Sequence, residues 1–412
     1  MPTTTSDSPA IPSNATSPDR RSSLTALTDP VSPGVFLQDY WEKRPLVVHR
    51  NRPDYFHSLL SRDEIDRALT TLDLGYPEIS MVSSERNVVS SDYTRDGEAI
   101  DLPRLFQLFA DGVTIILAHL HTRLPSLAEF CRALEAELSA PCQTNIYLTP
   151  AKAKGFKPHF DTHDVFILQV EHSKRWRIYG NPVPLPFRGQ DFDAAIHEPG
   201  PVQQEIELDA GDTLYIPRGY VHDAESLLGP SLHITFGVLA YTWTDVIVEA
   251  LAATALKDPA FRSGLPVGFA TESFDPAAAH QVIRGLLQRF CETADPRAAL
   301  DAFADDLVRT RVPLLRGQMT EIMRLESLHQ ESTLGPRPDL IYRLHENDTS
   351  LVVACYGNEI AIPKHAAAAT VYALRTPRFR VRELPGVLDE AGKLVLVRRL
   401  VREGLLRFLN AE

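Results

Sequence analysis

The chain has 412 residues, of which 44% are hydrophobic and 23% charged, and its formal net charge is −12. This length is enough for about two or three domains with a sizeable buried core. The negative net charge excludes a surface that is basic throughout and binds nucleic acid everywhere. No run reaches the roughly eighteen apolar residues of a membrane span, and residues 1–23 lack the apolar core of a secretory signal. We therefore expect a soluble cytoplasmic protein with no membrane partner.

The first third of the chain predicts an arm followed by a mixed wrapping segment. The first 28 residues are rich in Ser, Thr and Pro with almost no large apolar groups, so we expect a disordered arm. Beyond it, "PLVVHR" predicts a short strand, and "SRDEIDRALTTL" and "SLAEFCRALEAEL" predict helices. Ser61 with Glu64, and Ser126 with Glu129, have the spacing of a capping box at the start of each helix.

Residues 143–241 consist of short apolar runs separated by turn residues. Such closely spaced strands are typical of a β-sandwich or a barrel. "DAGD" at 209–212 predicts a turn between two strands, and "PRG" at 217–219 predicts a second bend just before His222. The predicted strands are "TNIYLTP", "DVFILQVE", "KRWRIYG", "QEIELDAGD", "TLYIPRGYVHDAE" and "SLHITFGVLAYT".

The last part of the chain predicts a helical region and then a small α+β module. Apolar residues recur at three- and four-residue spacing through residues 242–330, which indicates amphipathic helices. Residues 331–412 alternate short strands with two or three short helices. From residue 364 to the end there are ten Lys or Arg against five Asp or Glu, so a basic tail follows an acidic body.

A histidine and an aspartate at the start of one predicted strand indicate a metal site. His159 and Asp161 are two residues apart, and side chains at that spacing in an extended segment leave on the same face. His222 follows the "PRG" bend and adds a second imidazole. Two histidines and one carboxylate on one face suit iron(II), because they leave coordination positions open. The alternative is an ordinary hydrogen-bonded or solvated His-x-Asp pair.

Lys174 starts the next predicted strand, where its ammonium could reach into the barrel. A buried lysine needs an anion, and the distal carboxylate of 2-oxoglutarate would supply one while the other end of that molecule chelates the metal. The alternative is that Lys174 and Arg175 are hairpin charges in water, since most lysines stay exposed.

These motifs together resemble the JmjC-type 2-oxoglutarate oxygenases, and within them the ribosomal oxygenase (cupin-like) branch. The resemblance runs from "FLQDYWEKRPLVVHR" through "KPHFDTHDVFILQVEHSKRWRIY" and "GDTLYIPRGYVHDAE" to "SLHITFG". It implies an α+β chain built on a double-stranded β-helix, a jelly-roll barrel. The implied regions are a disordered arm (1–28), the JmjC/cupin-like catalytic barrel with its wrapping segment (29–241), a helical dimerisation region (242–330) and a winged-helix-like module (331–412).

The resemblance also implies roles for single residues. His159, Asp161 and His222 become the Fe(II) ligands, and Lys174 becomes the partner of the far carboxylate of 2-oxoglutarate. Asn145 and Tyr147 match positions that line the co-substrate pocket, although a turn-stabilising amide and a core aromatic remain alternatives for them. For His233 we expect a satisfied core histidine.

The function that this resemblance implies is an Fe(II)- and 2-oxoglutarate-dependent hydroxylase that uses dioxygen. Its expected substrate is a histidine or arginine side chain of a ribosomal protein, or of another basic polypeptide, and the expected assembly is a homodimer. Two alternatives remain open: an oxygenase acting on a small metabolite or peptide natural product, and a non-catalytic cupin-type sensor whose basic winged helix binds DNA.

Overall fold

The computed structural model describes residues 23–409, which fall into two compact units. One unit takes in the chain up to Ala240 together with Leu314–Leu340 and the chain from Ala368 onward; the other consists of Tyr241–Pro313 and Ile341–Ala367. The predicted domain boundaries after residues 28, 241 and 330 stay a prediction. Each of the two compact units contains parts of both the predicted region 242–330 and the predicted region 331–412. Within residues 23–409, every helix is too short or too polar to cross a bilayer.

The N-terminal wrapping segment is a series of short helices and strands. Helix α3 has the predicted capping box: the Ser61 hydroxyl accepts the Glu64 N–H, and the Ser61 N–H donates to the Glu64 carboxylate at 2.9 Å. The elements are α1 (Ser23–Thr28), α2 (Pro33–Asp39), β1 (Leu46–Val48), α3 (Arg62–Thr71), β2 (Ile79–Val82), β3 (Thr94–Arg95), β4 (Ala99–Ile100), α4 (Leu102–Ala110), β5 (Thr114–Ala118) and α5 (Pro125–Leu138).

The predicted disordered arm is wrong over its last six residues. Residues 1–22 lie outside the described chain, but Ser23–Thr28 is the helix α1. Leu24 and Leu27 of this helix are buried in the main apolar cluster. Their burial supplies the stabilisation that the surrounding polar composition does not suggest.

The predicted capping box at the start of α5 is also wrong. The helix begins at Pro125 and its N-cap residue is Leu124, two residues before the predicted N-cap Ser126. The Ser126 hydroxyl instead donates to the carbonyl oxygen of Leu59 at 2.8 Å. Proline at the first helical position lacks an N–H and has a fixed φ, so it favours this earlier start.

The barrel consists of two antiparallel sheets. The larger sheet has seven strands in the order β1-β10-β7-β12-β6-β5-β2, and the smaller has three in the order β11-β8-β9. Strand order departs from chain order, as expected for a jelly roll. The barrel strands are β6 (Cys142–Thr149), β7 (Asp164–Glu171), β8 (Lys174–Ile178), β9 (Gln204–Leu208), β10 (Thr213–Ile216), β11 (His222–Ser226) and β12 (Ser231–Val238).

Strand β7 is buried on both faces, which explains its unbroken apolar run. Val165 and Ile167 belong to an apolar cluster with Trp176 of the smaller sheet. Phe166 and Leu168 belong to the second cluster, which includes the N-terminal helices. Because alternate residues of a strand point to opposite faces, one short run serves both cores.

The reversal between β7 and β8 carries the chain from one sheet to the other. Strand β8 pairs with β9 and β11, with Lys174 opposite Leu208 and Ser226, and not with β7. The turn passes through His172 at φ 56°. This crossing places Lys174 on the smaller sheet, the same sheet that carries His222.

The remaining elements are helices and two small three-stranded sheets. The sheet β17-β13-β18 belongs to the barrel's unit, and the sheet β14-β15-β16 belongs to the second unit. The elements are α6 (Trp243–Lys257), α7 (Pro276–Thr293), α8 (Pro296–Arg309), α9 (Gln318–Arg324), β13 (Thr333–Pro336), β14 (Arg343–Glu346), β15 (Ser350–Cys355), β16 (Asn358–Pro363), α10 (Ala367–Arg375), β17 (Phe379–Arg380), α11 (Glu390–Arg402) and β18 (Leu406–Phe408).

Helix α2 is attached to the barrel by one aromatic side chain. Phe36 is fully buried, and its ring lies 5.5 Å from that of Phe166 and 4.9 Å from that of Tyr215, between centroids. Its neighbour Leu37 is largely exposed. Phe36 therefore joins the wrapping segment to strands β7 and β10, which flank the loops leading to the candidate site.

We predict that Phe36→Ala lowers the free energy of unfolding by about 3–5 kcal/mol, because it empties a fully buried aromatic position. Leu37→Ala is the matched control and should cost less than about 0.5 kcal/mol, since that side chain loses little contact on truncation. Guanidinium denaturation followed by fluorescence measures both changes. Equal losses in the two variants would contradict the anchoring role of Phe36.

Candidate metal centre

Three predicted ligands converge where two loops meet at one end of the barrel. His159 and Asp161 precede β7, and His222 is the first residue of β11. The backbones of the two histidines form an antiparallel bridge: the His159 N–H donates to the His222 carbonyl at 3.1 Å, and the His222 N–H donates back at 2.8 Å. The bridge fixes the two imidazoles side by side.

The donor atoms of these three residues form a compact group. One ligand atom from each of His159, Asp161 and His222 lies within 4.8 Å of the other two. The Asp161 carboxylate is 4.0 Å from His159 Nε2 and 3.7 Å from His222 Nε2. These separations are those of donors around a shared centre rather than of direct hydrogen bonds. The group can hold a metal ion.

Hydrogen bonds on the far side of each imidazole select the tautomer that a metal needs. His159 Nδ1 lies 2.9 Å from the carbonyl oxygen of Lys157, and His222 Nδ1 lies 3.0 Å from that of Tyr220. A carbonyl can only accept, so each Nδ1 carries the proton. The Nε2 lone pairs then point to the shared centre, as in metal-binding histidines.

The electrostatics of the group favour the same protonation states. Burial, reinforced by His159, lowers the pKa of His222 to about 4, although Asp161 opposes the shift. Burial would raise the pKa of Asp161, but the imidazoles of His222, His159 and His163 bring it below its ordinary value. At neutral pH the site therefore presents a neutral imidazole and an ionised carboxylate, which are the ligating forms.

Lys174 is buried close to this group without an acidic partner. Its side chain is 4% exposed, and its ammonium donates to Thr149 Oγ1 at 3.1 Å. Burial lowers its pKa to about 7. Within residues 23–409 no carboxylate forms an ion pair with it. A lysine in this state is stabilised in its charged form by an anionic ligand.

Two further buried polar atoms near Lys174 have no protein partner in the described chain. They are Trp176 Nε1 and His233 Nδ1. The Lys174 ammonium lies 5.8 Å from the Trp176 ring centroid, and the Trp176 ring lies 5.5 Å from that of His233 and 6.0 Å from that of His222. Buried polar atoms are normally paired, so the space around these two atoms and Lys174 is the candidate position of a polar ligand.

Tyr147 forms one wall of this space, and Asn145 lies two residues away on the same face of β6. The Tyr147 ring stacks on His233, with centroids 4.7 Å apart and planes 5° from parallel. Burial and the charge of Asp161 raise the pKa of Tyr147, so its hydroxyl is a proton donor at any physiological pH. The structure thus brings Tyr147 into the site, and the binding roles of both residues stay predictions.

Sequence reasoning missed Thr149 and Trp176 and interpreted His233 only in part. His233 is buried, as expected, but its Nδ1 has no protein partner within residues 23–409. The alternation of side chains along a strand could have identified Thr149 and Trp176. Thr149 is two residues from Tyr147, and Trp176 is two residues from Lys174. Residues at that spacing share a face, so each extends a pair already recognised.

Comparison with known proteins relates this arrangement to one domain family. Residues 117–246 match the JmjC domain. Ribosomal oxygenase 1 of Danio rerio is 31% identical over 315 residues, covering 70% of this chain and 56% of that protein. The bifunctional lysine-specific demethylase and histidyl-hydroxylase NO66 of Drosophila grimshawi is 34% identical over 254 residues, covering 60% of this chain and 35% of that protein. The chain thus spans about a third to somewhat over half the length of these relatives.

Solved structures support the fold over nearly the whole chain. Escherichia coli YcfD matches with a TM-score of 0.53 at 17% identity, over 92% of this chain and 98% of that one. A second structure, of YcfD as a ribosomal oxygenase in complex with cobalt and succinic acid, matches with the same score at 18% identity and covers 92% and 99%. The predicted α+β, JmjC/cupin-like fold is confirmed at this level.

We predict that His159→Ala, Asp161→Ala and His222→Ala each weaken cobalt(II) binding more than about 100-fold, since each removes one of three donors from the centre. Isothermal titration measures the affinity, and circular dichroism checks that the fold is kept. His57→Ala, which removes an exposed histidine of the wrapping segment, should bind cobalt(II) like the unchanged protein. Unaltered affinity in any one of the three variants would remove that residue from the ligand set.

Proposed function

Because residues 117–246 form a JmjC domain whose matched relatives include ribosomal oxygenases, we propose that this chain is an Fe(II)- and 2-oxoglutarate-dependent oxygenase. Its proposed reaction is the hydroxylation of one side chain of a ribosomal protein. The observation that carries the proposal is a compact group of two histidines and one carboxylate, together with buried Lys174 on the strand that pairs with the strand of His222.

The donor chemistry of the group fits iron(II). His159, Asp161 and His222 would hold the ion on one face, which leaves three positions of a six-coordinate centre for a bidentate co-substrate and dioxygen. The Nδ1–H bonds to backbone carbonyls keep both imidazoles oriented for this role. A closed structural site would need a fourth protein ligand.

The polar atoms around Lys174 fit 2-oxoglutarate. The Lys174 ammonium would bind the distal carboxylate through a charge-assisted hydrogen bond. Thr149 lies within hydrogen-bond distance of that ammonium. Trp176 Nε1 and His233 Nδ1 are buried polar atoms without a partner in the described part of the chain, so they can bind ligand oxygens. Tyr147 and Asn145 would contact the middle of the molecule from β6.

When bound, iron(II) and 2-oxoglutarate supply the dioxygen-dependent oxidation that puts one oxygen atom into a C–H bond and leaves succinate and CO2. The chain's own residues perform the rest. The triad fixes the metal's open face, and Lys174 sets the direction of the co-substrate. The apolar residues Val165 and Ile167, in one cluster with Trp176, keep water from the interior of the barrel.

A basic polypeptide is the proposed substrate. The loop between β8 and β9 exposes Asp191, Asp193 and Glu198. The same loop packs Phe192 onto Phe160, the residue between two of the proposed ligands, with ring centroids 5.4 Å apart. An acidic loop beside the site attracts positive chains. The names of the matched relatives favour a histidine side chain of a ribosomal protein, with arginine as the second candidate.

A non-catalytic sensor is the second candidate function, because the chain after residue 364 is basic and a winged-helix-like module could bind DNA. The three donors with open positions favour turnover over mere sensing. Release of succinate with a ribosomal protein, with small metabolites or with neither separates a protein hydroxylase, a small-molecule oxygenase and a sensor. A cytoplasmic location belongs to the same proposal.

Homodimer formation through the helical region is part of the proposal. Ile247 of α6 and Ile283 and Leu287 of α7 are about half exposed, and α7 buries none of its residues within the described chain. Apolar side chains exposed on successive turns of a helix are typical of an interface that pairs two identical chains.

We predict that 2-oxoglutarate affinity falls as pH rises above 7. The free Lys174 pKa is about 7 and a bound carboxylate raises it, so the ammonium is already formed below pH 7 and binding must take up a proton above it. Affinity should be flat from pH 6 to 7 and then drop by up to about tenfold per pH unit. Calorimetric titration of the manganese(II)-loaded protein measures this profile.

Lys174→Ala is the control for that profile. It should bind 2-oxoglutarate at least about tenfold more weakly at pH 6, because the charge-assisted bond is lost, while manganese(II) binding stays unchanged. Its affinity should not vary between pH 7 and 9. A variant with the original affinity, or with the original pH slope, would show that Lys174 does not bind the co-substrate.

The substrate prediction is tested in cells. One ribosomal protein should carry one additional oxygen atom on a histidine or arginine residue in the parent strain, and this oxygen should be absent from a strain that lacks the gene. Peptide mass spectrometry of purified ribosomes locates it. Complementation with His222→Ala should fail to restore it. Identical spectra from parent and deletion strains would contradict the ribosomal substrate.

The assembly prediction is tested by sedimentation. The protein should sediment as a dimer of its 45.9 kDa chain, and Ile283→Glu with Leu287→Glu should convert it to the monomer. Val387→Glu places the same charge at an exposed apolar residue of the other unit and should leave the dimer intact. A 45.9 kDa species alone at micromolar concentration would rule the dimer out.

A further inference from the structure

The two loops that carry the candidate ligands leave the large sheet together and meet again at the site. Strands β7 and β10 are paired up to Val165 and Ile216. Beyond that pair, the loop before β7 runs back from Val165 through Asp161, and the loop after β10 runs forward from Ile216 to His222. They rejoin at the bridge between His159 and His222. The stretch between these two points must be held in register by side chains or turns.

Arg218 and Gly219 close the gap between the two loops. The Arg218 guanidinium donates to the Asp164 carboxylate at 2.6 Å, and the Gly219 N–H donates to the carbonyl oxygen of Asp161 at 3.0 Å. Gly219 has φ 91°, and a Cβ there would lie 2.2 Å from the carbonyl oxygen of Val183, so only glycine fits this bend. Each of these contacts joins the loop before β7 to the loop before β11.

The Arg218 contact belongs to a closed ring of four residues. Tyr215 donates its hydroxyl proton to the other oxygen of Asp164 at 2.8 Å, and the same hydroxyl accepts the Glu42 N–H at 2.9 Å. The Glu42 carboxylate completes the ring by pairing with Arg218 at 2.6 Å. Asp164 is fully buried and Arg218 nearly so. Every charge in the ring has a partner, and Glu42 connects the ring to the wrapping segment.

We propose that Arg218 is a positioning residue of the metal centre: by pairing with Asp164 and Glu42, it fixes the register in which Asp161 and His222 can share one ion. This inference rests on the proposed function, since it concerns the metal that function requires. A buried ion pair adds little stability over an apolar pair of the same size, but it selects one geometry. The ring therefore serves the geometry of the ligands more than the stability of the barrel.

That distinction determines the test. Replacing Arg218 and Asp164 by apolar residues, in Arg218→Met with Asp164→Leu, removes both buried charges of the ring. The Glu42 carboxylate then loses its partner, but its side chain is 33% exposed to water, so the fold should be retained. Cobalt(II) is the probe, with affinity from isothermal titration and ligand geometry from its visible absorption. The matched control is Arg132→Met with Glu135→Leu, which removes another buried arginine–carboxylate pair, within helix α5.

The double variant at Arg218 should melt close to the unchanged protein, yet bind cobalt(II) at least about tenfold more weakly and with an altered spectrum, since supporting residues around metal ligands have effects of that size. The control should keep the original affinity and spectrum. Original cobalt(II) binding in the Arg218 double variant would overturn the inference.

Arg218→Lys decides the matter if the double variant does not fold. The Arg218 Nη1 contacts both carboxylates, and lysine would place its charge at the end of a shorter side chain. Affinity should therefore still fall about threefold or more while the melting temperature is kept. Unchanged affinity in this variant would also overturn the inference. Failure of the unchanged protein to bind cobalt(II) would instead contradict the proposed function itself.

Discussion

The candidate site depends on one backbone contact, the two-way hydrogen bond between His159 and His222. These residues are far apart in sequence and lie in loops that lead into different sheets. The bridge places their imidazoles side by side, and the turn that follows His159 brings Asp161 to the same point. Hydrogen bonds from Nδ1 of each imidazole to a backbone carbonyl then orient both Nε2 atoms toward that point.

The second constraint is the burial of Lys174, which has no acidic partner among residues 23–409. A protein tolerates the free-energy cost of burying an unpaired lysine when a ligand provides the missing negative charge. The chain achieves it by crossing from the large sheet to the small one at the reversal before β8, which puts Lys174 and His222 on the same sheet. Lys174 on β8 and His222 on β11 consequently lie on neighbouring strands.

Much of this site could be predicted from the sequence because it depends on local patterns. His159 and Asp161 lie on the same face because side chains alternate along an extended segment. The sequence "PRG" predicts the bend before His222. The pairing of β8 with β11 could not be predicted, since a short turn after β7 looks the same whether it closes a hairpin or changes sheets. The ring around Arg218 was missed because Glu42 and Asp164 meet only through tertiary packing.

A metal ion and 2-oxoglutarate that share one site can be detected by the visible absorption of the iron(II)-loaded protein on addition of 2-oxoglutarate without oxygen. A keto acid that chelates iron(II) through its keto oxygen and carboxylate gives a weak charge-transfer band that neither component shows alone. We expect this band in the unchanged protein, its loss in His222→Ala, and its appearance only at higher 2-oxoglutarate concentration in Lys174→Ala. Iron(II) and 2-oxoglutarate that both bind without producing the band would contradict a shared site.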